Sequence, residues 1–237
     1  NEKYRNVAEV SYAENDAKIF KEYCMKTLGV PERQIKYCEN ATFNDIRTAV
    51  NWLKELLQTC SGKGNAIFYY AGHGIPDERN KASYLLPVDG NGNDVGSAYG
   101  LAQLYEMLGS VSARSVVVLL DACFSGAKRG GDMIVAARGV AITPKQETPR
   151  GKMIVFSATR GDESAYAYEK KQHGMFTYFL LKKLREAKGH MTLGELSTYM
   201  TEQVSRNSIL ENSKKQTPTV VVSPALTTTW KNMKLVK

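Results

Sequence analysis

The sequence predicts an α/β fold: a mostly parallel sheet with helices on both faces. Three apolar runs carry that prediction: residues 66–70 (Ala-Ile-Phe-Tyr-Tyr), 115–120 (Ser-Val-Val-Val-Leu-Leu) and 153–157 (Met-Ile-Val-Phe-Ser). Each has strand length and is continuous rather than alternating, as a strand buried on both faces must be. Segments with a helical apolar period separate them. Strands alternating with helices imply crossover connections and a sheet covered on both sides.

The elements follow in order. Asn15-Asp16 is placed to cap a first helix running to about Leu28, with Phe20, Tyr23, Cys24 and Leu28 near one face. Gly29 and Pro31 stop it. Residues 34–38 read as a short strand. Thr42 caps a second helix whose stripe is Ile46, Val50, Leu53, Leu57 and Cys60, ended by Gly62 and Gly64. The run 66–70 leads into Ala71-Gly72-His73-Gly74 and a glycine-rich loop to about Tyr99, with a hairpin around residues 84–88. A helix over 101–108 precedes the run 115–120, which enters Asp121-Ala122-Cys123-Phe124-Ser125-Gly126. Residues 128–150 have no clean period and read as a long basic loop. After the third run come a helix over 176–187, a helix capped by Thr192 to about Arg206, and a last strand over 218–222. Pro218 stands at the start of that strand, where strands tolerate proline.

The 43% hydrophobic and 24% charged content is ordinary for a soluble globular protein. No apolar run approaches the ~20 residues of a membrane-spanning helix, so no membrane partner is expected. The polar start Asn1-Glu2-Lys3-Tyr4 shows no signal peptide. A soluble protein is expected; cytoplasmic location and secretion after loss of an upstream segment both stay open. The net charge of +8 would suit an acidic partner. The lysines and arginines are scattered, apart from Lys182-Lys183 and Lys214-Lys215, and do not interleave with aromatic residues. Nucleic-acid binding is therefore not expected. Four cysteines, Cys24, Cys38, Cys60 and Cys123, form no CxxC pair, and no metal site is expected. The first three fall at apolar helical spacings or a strand end and read as core filler.

Sites in open parallel sheets form beyond the carboxyl ends of the strands. His73 lies just past one such end and Cys123 just past another, 50 residues later. The crossover between them holds one good helix, so the two strands can be neighbours about 5 Å apart. An imidazole would then approach a thiol. Acyl transfer needs that pair: the thiolate attacks, and the histidine takes and returns the proton. Gly74 lets a substrate backbone approach, and the N–H groups of Gly74 and Cys123 can point at a developing oxyanion. His173 and His190 follow no buried strand and are set aside as the base.

With these residues in place, the sequence resembles the caspase-like cysteine peptidases of clan CD, nearest to metacaspases and bacterial caspase homologues. The resemblance is carried by Tyr70-Ala71-Gly72-His73-Gly74 and Asp121-Ala122-Cys123-Phe124-Ser125-Gly126. Asn15-Asp16-Ala17, Ser157-Ala158-Thr159, Glu163-Ser164-Ala165 and Gly174-Met175-Phe176-Thr177 support it, in family order, over about residues 1–225. It implies a Cys-His dyad and a three-layer α/β/α sandwich with a mostly parallel, six-stranded sheet. One caspase-like domain would comprise a large subdomain (1–127), an intersubunit-type loop (128–150) and a small subdomain (151–237). Many relatives cut themselves in that loop, where Lys128, Arg129, Arg138, Lys145 and Arg150 lie. Relatives also carry a hydrophobic first strand just ahead of the segment matching Asn1-Glu2-Lys3-Tyr4. The resemblance therefore implies a strand upstream of residue 1.

True caspases carry Gln two residues before the nucleophile and cut after Asp. Here that position is Asp121, as in branches that cut after basic residues. A carboxylate in a pocket pairs with Arg bidentately and would repel Asp. Asp16 matches a second acidic pocket position, while also fitting a helix cap. Asp162 or Glu163 would add a third carboxylate. The expectation is an endopeptidase that cuts after Arg in preference to Lys, through a thioester acyl-enzyme. Its partners would be protein or peptide substrates, and it would act as a monomer. No cofactor is expected; no dedicated calcium loop is visible, and a calcium requirement stays open. The alternatives are a catalytically silent caspase-fold scaffold that binds partners, against which both His73 and Cys123 speak, and a nucleotide-binding domain. The latter would need a phosphate-cradling turn into a helix, whereas Gly72-His73-Gly74 opens a long loop.

Overall fold

The computed structural model describes residues 1–126 and 142–236. In chain order its elements are α1 (Ala13–Lys26), α2 (Phe43–Thr59), β1 (Asn65–Ala71), β2 (Gly74–Pro76), β3 (Ser83–Leu85), β4 (Tyr99–Gly100), α3 (Leu101–Gly109), β5 (Ser115–Asp121), β6 (Met153–Ser157), β7 (Ala167–Tyr168), β8 (His173–Gly174), α4 (Met175–Glu186), α5 (Leu193–Asn212) and β9 (Thr219–Val222). The central sheet is ordered β1-β5-β6-β9. β1, β5 and β6 are parallel, and β9 runs antiparallel to β6.

All seven residues of β5 are buried, which explains its unbroken apolar sequence. Val117 and Leu119 point into a core built with Phe20 of α1, Phe176 and Leu180 of α4, and Leu196 and Met200 of α5. Val116, Val118 and Leu120 point the other way, onto Ile46 and Val50 of α2 and Leu104 and Leu108 of α3. The sheet thus sits between two helical layers, and the predicted sandwich stands. α2 and α5 start where the sequence placed them, each with a reciprocal capping box: Thr42 with Asp45, and Thr192 with Glu195.

Several elements differ from expectation. α1 begins at Ala13 after Tyr12, so Asn15-Asp16 lies in its first turn rather than at its cap. Both side chains are drawn away from their own helix: Asn15 Nδ2 donates to the Gln172 carbonyl (2.9 Å), and Asp16 accepts the Gly174 N–H (2.9 Å). Residues 34–38 form no strand. A single-turn helix, Glu32–Gln34, leads into extended backbone at Ile35. A strand needs a hydrogen-bonded neighbour, and an apolar groove of about 270 Å³ separates this segment from the edge of β1. Phe20, Cys24, Leu53 and Leu57 line that groove. The central sheet accordingly has four strands among the described residues, where the resemblance implied six. The hairpin expected around residues 84–88 is a three-stranded sheet, β2-β3-β4, because Gly74–Pro76 pairs with Ser83–Leu85 directly.

The β5–β6 ladder runs from Val116↔Met153 to Leu120↔Ser157 and joins the residues before and after the basic loop in one sheet. Lys128, Arg129 and Arg138 lie outside the described residues. Of the rest of the loop, the Lys145 N–H donates to the Lys81 carbonyl (2.8 Å), and Arg150 pairs with Glu106 (2.7 Å). Among the described residues no helix is long and apolar enough to cross a membrane.

Candidate active site

β1 and β5 align in parallel with Ala71 opposite Asp121, and the Gly72 N–H donates to the Asp121 carbonyl (3.2 Å). His73 and Cys123 each lie two residues beyond this shared last rung. The loops they occupy touch. A Cβ on Gly74 would fall against the Phe124 ring and 2.7 Å from the Cys123 carbonyl oxygen, so only glycine fits this approach. The His73 carbonyl accepts from the Leu86 N–H (3.0 Å) on the β3 side. The C=O and N–H of one trans peptide group point in opposite directions, so the Gly74 N–H is turned away from β3.

His73 is 2% exposed. Its Nε2 lies 2.7 Å from the Ala8 carbonyl oxygen. A carbonyl only accepts, so Nε2 carries a hydrogen and Nδ1 of the neutral ring holds the lone pair. The His73 N–H donates to the Tyr4 hydroxyl (2.8 Å), and the Tyr4 ring tilts over the imidazole at 4.8 Å between centroids. The Tyr70 hydroxyl donates to the His73 carbonyl (2.8 Å). The segment that supplies Ala8 and Tyr4 is itself anchored. Asn1 donates to Ala71 and Leu86 carbonyls, and Asn40 Oδ1 accepts the N–H groups of Glu2 and Lys3 (both 3.0 Å).

Cys123 is buried. Its sulfur lies 2.9 Å from the Ser125 hydroxyl and 3.1 Å from the Glu163 main-chain carbonyl. Of the other cysteines Cys24 lies in the core, as the filler reading expects, while Cys38 and Cys60 are only half-buried. Burial pushes the Cys24 thiol up to about 12 and raises that of Cys38, while the Cys60 thiol donates to the Leu56 carbonyl (3.4 Å).

The four candidate pocket acids separate into two groups. Asp16 and Asp121 are both fully buried and both meet the first turn of α4. Asp16 accepts from Gly174 N–H and from Nδ1–H of His173 (2.7 Å). Asp121 accepts from the N–H (3.2 Å) and the hydroxyl (2.7 Å) of Thr177. Because the Thr177 proton is used there, the Tyr69 hydroxyl donates to Thr177 Oγ1 (2.7 Å). The positive end of α4 and its open N–H groups favour two carboxylates at this place. Glu163 belongs elsewhere: its carboxylate accepts the N–H and hydroxyl of Thr217. Asp162 is exposed.

Sequence reasoning did not single out Ala8, Tyr4, Ser125, Thr177 or His173 for these positions. A main-chain carbonyl leaves no side-chain signature. Ser125 and Thr177 stand within quoted motifs, but nothing in the chain order says which atoms they meet. Among the described residues no group of three His, Cys, Asp or Glu side chains is arranged to hold a metal ion.

The chain matches a family model described as the caspase domain over residues 1–228. Among solved structures it is similar to caspase-1 from Spodoptera frugiperda, with a TM-score of 0.61 and 15% identity over 93% of this chain and 82% of that one. It is also similar to protein GSU0716 from Geobacter sulfurreducens, with a TM-score of 0.66 and 16% identity over 96% of this chain and 90% of that one. At such identities these neighbours show the fold. No curated protein sequence matches the chain.

Proposed function

The chain belongs to the caspase-domain family of cysteine peptidases, and from that premise we propose that it is an active endopeptidase that cuts after Arg in preference to Lys. Cys123 is its nucleophile and His73 its base. The observation that carries this reading is the shared offset of the two residues beyond the Ala71–Asp121 rung. Nδ1 of His73 takes the thiol proton, since Nε2–H is committed to Ala8. The thiolate attacks the scissile carbonyl, and the N–H groups of Gly74 and Cys123 meet the oxyanion. The His73 proton passes to the departing amine, leaving a thioester that water hydrolyses with His73 again as base.

Asp121 and Asp16 support the preference for basic P1 residues. Both are acidic side chains fixed by backbone donors at the start of α4, beside the loop that holds Cys123. A guanidinium reaching them gains a bidentate, desolvated pair that an acidic P1 side chain cannot form. Glu163 and Asp162 contribute less, because the Glu163 carboxylate lies on Thr217 rather than at the start of α4, and Asp162 is exposed. Cutting within 128–150 belongs to the same reading, with Lys145 and Arg150 among the candidate bonds.

The test is a fluorogenic peptide panel with Arg, Lys, Asp or Asn at P1, run with and without calcium, together with an Arg-based electrophile traced to its residue. Turnover of Arg above Lys with label on Cys123 is expected. Turnover of the Asp peptide would overturn the specificity. No turnover and no label under any condition would favour a silent scaffold.

A further inference from the structure

Among the described residues two groups meet the Cys123 sulfur, and they act in opposite directions. The Glu163 carbonyl at 3.1 Å only accepts, so the thiol must spend its single hydrogen on it. The Ser125 hydroxyl at 2.9 Å must then be the donor, with the sulfur accepting. Ser125 is fully buried, and its carbonyl accepts the Ile142 N–H (3.2 Å), which fixes its backbone. We propose that Ser125 is the positioning residue of the nucleophile, donating its hydroxyl to the Cys123 thiolate, and that the Glu163 carbonyl is its counterweight, a latch that holds the sulfur as a thiol.

The chemistry follows from the lone pairs. When the thiol loses its proton, the hydrogen bond from Ser125 becomes charge-assisted and strengthens. The Glu163 carbonyl then faces an anion with its own lone pairs, and that contact turns repulsive. The attacking form therefore needs the carbonyl to move while Ser125 stays. The latch has its own fastening: the Glu163 carboxylate accepts from Thr217 N–H and Oγ1–H (2.9 Å for the latter). Gln216 pins the two ends of the same loop, accepting from the Tyr166 N–H and donating to the Ala158 carbonyl. A substrate that displaces residues 160–164 releases the thiol. Among the described residues, the titratable groups on the segments around Cys123 are His73 in the adjoining loop, Tyr166 ahead of β7, and Glu163, whose carboxylate is turned to Thr217. The Tyr166 hydroxyl is held above its ordinary value chiefly by burial, with a smaller contribution from Cys123.

The inference rests on Cys123 being the nucleophile, but its test does not need peptide cleavage. The rate of Cys123 alkylation by iodoacetamide, followed by mass spectrometry from pH 5 to 10, reads the thiolate directly. Ser125→Ala should slow labelling at pH 7 roughly tenfold, the loss of one hydrogen bond to a charged group, and move the profile to higher pH. Ser125→Thr, which keeps the hydroxyl, should restore it. Thr217→Val, which loosens the latch away from the sulfur, should do the reverse and speed labelling near pH 7. Damage to the fold would move both variants in one direction, and melting curves check it. A Ser125→Ala profile that superimposes on the unmodified protein overturns the donor role. A Thr217→Val profile that does so overturns the latch. Opposite shifts in a protein that cleaves no peptide would leave this inference standing while the proposed function fell.

Discussion

Ala71 and Asp121 face each other across the last rung of the β1–β5 ladder, and the loops of both proposed catalytic residues start from it. From that rung the chain takes two residues to His73 and two to Cys123. Neither loop is long enough to carry its side chain far from the other. Replacing either Cys123 or His73 by Ala should lower kcat/KM on an Arg peptide by at least about 10³-fold, since members of such a unit are not additive. The double variant should be no worse than either alone, which steady-state kinetics would show.

Asp121 joins two demands. It is proposed to bind the P1 cation, and it caps α4 through Thr177. Asp121→Asn keeps an oxygen for Thr177 but removes the charge, so it should cost Arg turnover far more than stability. Asp121→Ala should also lose about 0.5–2 kcal/mol, the usual cost of a lost cap. Comparing kinetics and melting temperatures of the two variants separates the effects.

Tyr4 holds the His73 loop from a segment nearly seventy residues upstream in sequence. Tyr4→Phe leaves the buried His73 N–H without its acceptor, a penalty of about 1–3 kcal/mol. The expected result is a lower melting temperature and a lower kcat with little change in KM, because the loop carrying the base loses its register.

Acid should weaken two helices in a defined direction. Hydrogen bonds from Thr42 hold the Asp45 carboxyl below its ordinary value, and those from Thr192 do the same for Glu195. A carboxyl lowered on folding contributes stability above its unfolded pKa and loses it as pH falls through the folded one. Stability should therefore decline below the ordinary carboxylate range. Thr42→Ala should melt lower than the unmodified protein at pH 7, with the gap closing in acid.

Burial raises two of the four thiols. With Cys24 pushed up to about 12 and Cys38 raised, an alkylating reagent at pH 7.5 should label Cys123 of the native protein well before Cys24. Equal rates, read by peptide mass spectrometry, would count against the assignment of the nucleophile.

Much of this protein is legible in its sequence. Continuous apolar runs mark β1, β5 and β6; β5 is buried on both faces and has no polar side to show, whereas β1, at the sheet edge, keeps Ile67, Phe68 and Tyr69 only half-buried beside the apolar groove. Thr42 and Thr192 marked helix starts, since a capping box is a contact between residues three apart. His73 and Cys123 stand out because each follows a continuous apolar run, though only the run before Cys123 is buried throughout. The less legible features were those without a local partner. Residues 34–38 have a strand-like sequence but lie across a groove from β1, so their backbone forms no ladder.

The sequence by itself determined the α/β/α layering, the two residues proposed to react and the acidic character of the position two residues before the proposed nucleophile, all set by local pattern. Tertiary structure alone decided which atoms those side chains meet. Asp16 turned from a cap of its own helix to His173, 157 residues away. The Glu163 carboxylate went to Thr217, and its carbonyl went to Cys123. The Ala8 carbonyl fixed the tautomer of His73. The physical reason is common to these cases. Burial follows a periodicity that can be read along the chain, whereas a buried polar atom must be satisfied by whatever donor or acceptor folding brings beside it, and that neighbour is set only when distant segments meet.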